Sequence, residues 1–196
     1  MRQAFALLGL MTAIVTIGAL VAFSKKADAP GEIVISPNNS SMLTLSSPAF
    51  ANGGLIPPKH TCDGENINPE LQITNVPGGA GSLVLVMDDP DIPDNVKKNL
   101  GIERFDHWVV YNIPVITEVI KEGEKIGQGG LNSTGILGYA GSCPPDREHR
   151  YFFRLYAIEG RLEFRKPPTL KEVEDAAKAQ MIERTELMGR YERIHK

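Results

Sequence analysis

Asp89, His107, His149 and Tyr151 are the residues whose types can do chemistry together, and each stands beside a stiff turn or on an apolar strand. Asp89 follows the apolar run Ser82–Met87 and opens Asp89-Pro90-Asp91-Ile92-Pro93. The two prolines fix φ and remove donors, so the turn is rigid. His107 begins the alternating segment His107–Ile113, which a short connection keeps near the first strand. His149, once extended, shares a strand face with Tyr151. One carboxylate, two imidazoles and a phenol are thus expected at one sheet edge. Imidazole and phenol donate to phosphate or carboxylate oxygens, while a carboxylate orients an imidazole or accepts from a ligand ammonium or hydroxyl group. Gly141, before Ser142, lets backbone approach a ligand closely. In outline this is a pocket for a phosphate-bearing small molecule or a phospholipid headgroup.

Neighbouring polar groups have plainer readings. Asp88 and Asp91 are ordinary turn formers at a strand end. Arg150 suits a structural ion pair, Tyr139 is a further polar candidate, and Trp108 suits packing. His60 and His195 lack comparable surroundings. Two histidines and a carboxylate also fit a zinc or iron site, which makes a metal-dependent hydrolase the rival chemistry. However, no His-Glu-x-x-His, Gly-x-Ser-x-Gly or Gly-x-x-x-x-Gly-Lys motif occurs, so neither a catalytic residue nor a cofactor nor a metal ligand is assigned. A third reading is an interaction protein that inhibits a protease or kinase through the glycine-rich Glu124–Gly138 stretch, since long loops often carry recognition.

The elements that must position these groups are mostly strands. Glycine and proline, 19 and 14 of 196 residues, punctuate short apolar runs, which favours β-structure with many turns. Met42–Ser46, Leu71–Thr74, Ser82–Met87, His107–Ile113 and Tyr151–Ile158 read as strands. The alternation sets His107, Val109, Tyr111 and Ile113 on one face of their strand and Trp108, Val110 and Asn112 on the other. Thr169-Leu170-Lys171-Glu172 has the capping-box form and starts a helix to about Met181. Glu118–Leu137 reads as a long surface connection, and Arg184–Arg193 as helix or final strand. A net charge of -3 leaves no basic footprint, so nucleic acid is excluded as a partner.

Ala4–Phe23 is charge-free and about 20 residues long, the length needed to span a bilayer. It predicts an N-terminal membrane anchor with the domain outside the cytoplasm. Ala27-Asp28-Ala29 offers the alternative of a cleaved signal and a secreted or periplasmic protein. Residues 1–29 are therefore assigned to anchor or signal, 30–41 to a linker and 42–196 to the folded domain. In such a compartment Cys62 and Cys143 are permitted to pair or to remain thiols.

Several segments together resemble the phosphatidylethanolamine-binding protein family in its bacterial, Raf kinase inhibitor-like branch. They are Thr61-Cys62-Asp63-Gly64-Glu65-Asn66-Ile67-Asn68-Pro69, Asp89-Pro90-Asp91-Ile92-Pro93, His107–Ile113, and Gly141-Ser142-Cys143-Pro144-Pro145 through His149-Arg150-Tyr151. The resemblance covers roughly residues 43–193. It implies a mainly β fold, with a large central antiparallel sheet packed on a smaller sheet and few peripheral helices. It also implies an anion pocket in which Asp89, His107, His149 and Tyr151 match ligand-binding positions and Gly141 supplies a backbone contact. Asp91 and Pro93 match the motif shaping the rim. The chain departs from the family's commoner residues at Ala140 and Ser142, and carries Asp146-Arg147-Glu148 where a glycine-containing turn is usual. A protein partner and a paired second copy of the chain are the remaining partners the reading admits.

Overall fold

The computed structural model describes residues 42–193. The Ala4–Phe23 segment lies outside them. No helix among the described residues is long and apolar enough to cross a membrane.

Two antiparallel sheets carry the fold. The smaller has the order β1-β2-β5, with β1 at Thr44–Ser46, β2 at Leu71–Thr74 and β5 at Val119–Ile120. The larger has the order β6-β4-β3-β7-β8, with β3 at Ser82–Asp89, β4 at Phe105–Ile113, β6 at Gln128–Gly129, β7 at His149–Ile158 and β8 at Met181–Tyr191. Strand β3 is central and buried along its whole length, as its unbroken run of branched apolar residues requires. One core lies between the sheets, where Leu45, Leu71 and Ile73 meet Leu83, Leu85, Met87, Phe153 and Leu155. A second lies on the opposite face, where helix α2 (Leu170–Ala179) packs Leu170, Val173 and Ala177 against Val84, Val86, Val109 and Tyr156.

Helix α2 starts as the sequence predicts: the Thr169 hydroxyl accepts from the Glu172 amide, and the Glu172 carboxylate accepts from the Thr169 amide. It stops at Ala179, and Met181 opens β8, so Arg184–Arg193 lies mostly in a strand. The 118–137 connection contributes β5 and β6 at the sheet edges. A short helix, α1 (Asp94–Leu100), was not apparent in the pattern because it buries none of its residues. Gly101 ends it with φ 66°, a left-handed C-terminal cap for which glycine is favoured.

Strand β4 departs from simple alternation twice. Met87 pairs with Trp108 and Asp88 with Asp106, so β4 holds one extra residue there, His107. A second irregularity falls between the Leu83–Ile113 and Leu85–Val110 pairs, where Asn112 takes φ 57°. Such bulges re-aim side chains. As a result His107 and Ile113 leave the face of Val109 and Tyr111, correcting the simple period-two reading, and Ile113 joins Trp108 and Val110 in the inter-sheet core.

Asn112 also pins the chain after β7. Its Nδ2 donates to the Leu162 carbonyl at 2.8 Å, and its Oδ1 accepts from the Leu162 amide at 2.8 Å, with both residues buried. Replacing Asn112 by Leu strands two buried backbone groups. The expected cost is about 3 kcal/mol, because each unsatisfied group costs about 1–3 kcal/mol. The urea midpoint of Asn112→Leu reads it; an unchanged midpoint contradicts this account.

Candidate functional site

The site forms where the C-terminal end of β3 meets the N-terminal ends of β4 and β7. Asp89 ends β3 and is buried. Its Oδ1 accepts from the Asp91 amide at 2.8 Å, so the turn is closed by the carboxylate itself. Its Oδ2 lies 2.6 Å from Nδ1 of His149, the first residue of β7. Burial pushes the Asp89 carboxyl above the usual range, and the His149 hydrogen bond opposes that push.

His149 is fully buried, and its Nε2 lies 2.8 Å from Asp146 Oδ1. Both ring nitrogens therefore face carboxylates. His149 acts by holding Asp89 in place, since neither nitrogen is left for a ligand.

His107 is aimed into the site by the bulge in β4. Its Nδ1 lies 2.7 Å from the Ala140 carbonyl oxygen. A carbonyl only accepts, so Nδ1 carries the hydrogen and a neutral ring keeps its lone pair on Nε2. Among the described residues Nε2 has no hydrogen-bond partner of good geometry, although the Gly141 backbone stands near the ring, and the ring lines the cavity. Burial is the main cause that lowers the His107 pKa to about 4. Tyr151 meets this ring edge-on, with centroids 5.2 Å apart. The Tyr151 hydroxyl is buried without a hydrogen bond of good geometry, although Ser142 and the Cys143 amide stand near it. Burial, with the Asp89 charge beside it, raises the Tyr151 pKa.

The opposite wall is two loops tied together. Cys62 and Cys143 form a disulfide with Cα atoms 5.4 Å apart, and the Cys62 amide donates to the Ser142 carbonyl at 3.1 Å. The Gly141 amide donates to Asn66 Oδ1 at 2.7 Å, and the Tyr139 hydroxyl donates to the His60 carbonyl at 2.7 Å. A Cβ on Gly141 would stand 2.6 Å from Asn66 Oδ1 and 2.7 Å from the His60 oxygen, so glycine is needed for the loops to meet.

These walls enclose a cavity of ≈ 330 Å³. Asp89, Pro93, His107 and Gly141 line it, with Asn66, Ile92, Val96, Phe105 and Thr134 among the others. His149 and Tyr151 stand behind that lining. Asp91 turns outward to Arg150, whose Nε and Nη2 donate to its two oxygens at 2.8 and 2.7 Å. Among the residues the sequence left aside, Asn66 locks Gly141 and Val96 adds a wall from α1. The Thr61–Pro69 motif contained the first signal; Val96 had none.

Asp88, one residue before Asp89, points to the other face of the sheet. There it pairs with Arg104 and Arg154, and Arg104 also reaches Glu174 of α2 at 2.9 Å. It is a structural ion network, as is Arg150 with Asp91. The charges of Asp146-Arg147-Glu148 are likewise taken up within the protein, by His149, by the Asp91 carbonyl and by Arg190. Among the described residues no group of three His, Cys, Asp or Glu side chains is arranged to hold a metal ion.

Residues 46–192 match the family profile described as phosphatidylethanolamine-binding protein. The chain belongs to this family. A UPF0098 protein of Chlamydia pneumoniae is 42% identical over 152 residues, covering 77% of this chain and 99% of the relative. A UPF0098 protein of Methanothermobacter thermautotrophicus is 39% identical over 158 residues, covering 77% and 99%. Among solved structures, a putative phosphatidylethanolamine-binding protein homologue from Chlamydia trachomatis superposes with a TM-score of 0.73 at 39% identity, covering 79% of this chain and 99% of that one. YbcL of Escherichia coli, described as a member of the mammalian family, gives 0.68 at 25% identity, covering 78% and 99%. The mainly β fold with two antiparallel sheets is that of the family, and membership supports a binding protein in general.

Beside this cavity, the Asp91–Arg150 pair braces the turn after β3. The hydrogen bond from Arg150 is the largest cause that lowers the Asp91 pKa to about 2. A depressed carboxylate contributes stability above its unfolded pKa near 4, and that stability is lost as pH falls through about 2. Because Arg150 is 54% exposed, solvent screening reduces the effect to about 1 kcal/mol. Asp91→Asn should therefore unfold about 1 kcal/mol more easily at pH 7. The difference from the parent should shrink between pH 4 and 2 in acid unfolding curves; a gap constant with pH contradicts the assignment.

Proposed function

We propose that the cavity is the anion pocket of a non-catalytic binding protein, taking a phosphate-bearing small molecule or a lipid headgroup. The observation that carries this reading is His107: its Nδ1 is fixed by Ala140, while Nε2 has no hydrogen-bond partner of good geometry among the described residues and the ring lines the cavity beside Asp89. The volume supports it, since sites for small ligands begin at about 300 Å³. So does the name of the family, whose lipid carries a phosphate group.

Titration with inorganic phosphate and phosphoethanolamine, followed by histidine NMR, tests it. The His107 resonances should shift at millimolar ligand, and His107→Ala should weaken binding at least about tenfold, as loss of a buried hydrogen-bonding partner does. Histidine spectra that stay fixed at those concentrations would sink the reading.

A second reading, inhibition of a protease or kinase by surface contact, is supported by Ile136 and Leu137. Both are exposed, and Leu137 lines a groove of ≈ 510 Å³ that shares Asn66 with the pocket. A partner captured equally well by His107→Ala would favour this surface over the pocket. The charge-free run Ala4–Phe23 supports placement at a membrane with the domain outside the cytoplasm. Fractionation should find full-length protein in the membrane pellet. A chain beginning near residue 30 in the soluble extracytoplasmic fraction would indicate a cleaved signal instead.

A further inference from the structure

We infer that the Cys62–Cys143 disulfide is a redox gate on the pocket: the oxidised protein holds its phosphate-bearing ligand, and reduction by a dithiol loosens that hold. This rests on the anion-pocket reading above and adds to it a means of release. Both cysteines are exposed to solvent, and both line the cavity together with Asp89 and His107. Exposed disulfides are the ones open to thiol attack. Here the bond that breaks belongs to the wall of the site itself.

The two segments that it joins are seated differently. The loop that carries Cys62 is anchored from outside the pocket. At its start the Ile56 amide donates to the Arg190 carbonyl at 2.8 Å. Next to Cys62, Asp63 accepts from the Tyr191 hydroxyl at 2.8 Å and from Arg193 Nη2 at 2.8 Å. The segment that carries Cys143 leans on this loop. Tyr139 and Gly141 donate to the His60 carbonyl and to Asn66 Oδ1, each at 2.7 Å, and the Ser142 carbonyl accepts from the Cys62 amide at 3.1 Å. At Cys143 the tie becomes covalent, and Pro144 and Pro145, which have no amide hydrogen to give, follow it.

That tie matters because of what the 142–143 turn presents. The Ser142 and Tyr151 hydroxyls are both buried without a hydrogen bond of good geometry, and the Cys143 amide stands near the Tyr151 hydroxyl. Together they are donors on the Cys143 side of the cavity, and they serve an anion best while the turn keeps its place. Freed from Cys62, residue 143 gains conformational freedom that a ligand must remove again, so affinity falls. The hydrogen bonds at 139–142 and the bonds to β8 remain, so the wall loosens while the domain stays folded. In the reaction a thiolate of the dithiol attacks one sulfur, the Cys62–Cys143 bond breaks and a mixed disulfide forms. The second sulfur of the reductant then displaces the protein, which leaves the dithiol oxidised to a cyclic disulfide. Cys62 and Cys143 end as thiols, having gained two electrons and two protons. Linkage makes the effect reciprocal: the factor that reduction costs in affinity returns as resistance of the liganded protein to reduction.

Titration of inorganic phosphate and of phosphoethanolamine into oxidised and dithiothreitol-reduced protein tests this, with a thiol count confirming each form. Reduction should raise Kd roughly tenfold, the scale of one well-placed hydrogen bond, and reoxidation should restore it. Saturating phosphoethanolamine should lower the midpoint potential of the disulfide by about 30 mV for a tenfold change in Kd. Hydrogen exchange should quicken at 60–66 and 139–143 on reduction and stay unchanged in β3 and β7. The Cys62→Ser/Cys143→Ser double variant should bind as the reduced protein does in any redox buffer. Equal Kd in the two forms, or a midpoint that the ligand does not move, would overturn the inference and leave the anion pocket standing. So would outright unfolding on reduction, which makes the disulfide a general staple of the fold. Failure of both probes to bind the oxidised protein would overturn the anion-pocket reading and the inference with it.

Discussion

The buried hydrogen bond between Asp89 and His149 is the constraint on which the site depends. It joins residues 60 apart in sequence at 2.6 Å, with both side chains out of water. A buried carboxylate is costly unless it is paired and fully hydrogen-bonded. Here one oxygen is given to His149 and the other to the Asp91 amide, which leaves the turn after β3 a single closed form. Asp146 then holds the far side of the imidazole. Pro93, the wall from α1 and the Asp91–Arg150 brace all take their positions from that turn.

The adjacent pair Asp88-Asp89 shows how one strand end serves two purposes. Successive side chains in a strand point to opposite faces. Asp88 is sent into the ion network beneath α2, where Arg104 and Arg154 hold it. Asp89 is sent to the cavity. The first couples the helical layer to the sheet, and the second couples the sheet to the pocket.

Much of this was legible in the sequence, for physical reasons. Strand β3 carries a continuous apolar run, β7 is apolar from Tyr151 to Ile158 save for Arg154, and α2 announces itself through Thr169 and Glu172. The family motifs named the residues that converge. What stayed hidden depends on partners distant in the chain. His107 faces the cavity only because β4 gains a residue against β3, and register is a property of two strands together. The complete burial of His149 depends on how the 140–146 loop closes over it. Helix α1 buries nothing, so it has no apolar stripe to read.

The ends of the described domain are stitched to each other. The Leu43 amide donates to Glu183 across 140 residues, and the Ile56 amide donates to the Arg190 carbonyl, while Arg190 Nε holds the Gly53 carbonyl. The 57–66 loop that forms one wall of the cavity leaves directly from this seam. Contacts so distant are slow to form, because the chain must first give up the entropy of a long loop. During synthesis β8 is the last strand to emerge. The loop nearest the start of the domain is therefore seated partly against the strand that emerges last, while the disulfide and the Asn66–Gly141 bond tie its far end to the middle of the chain.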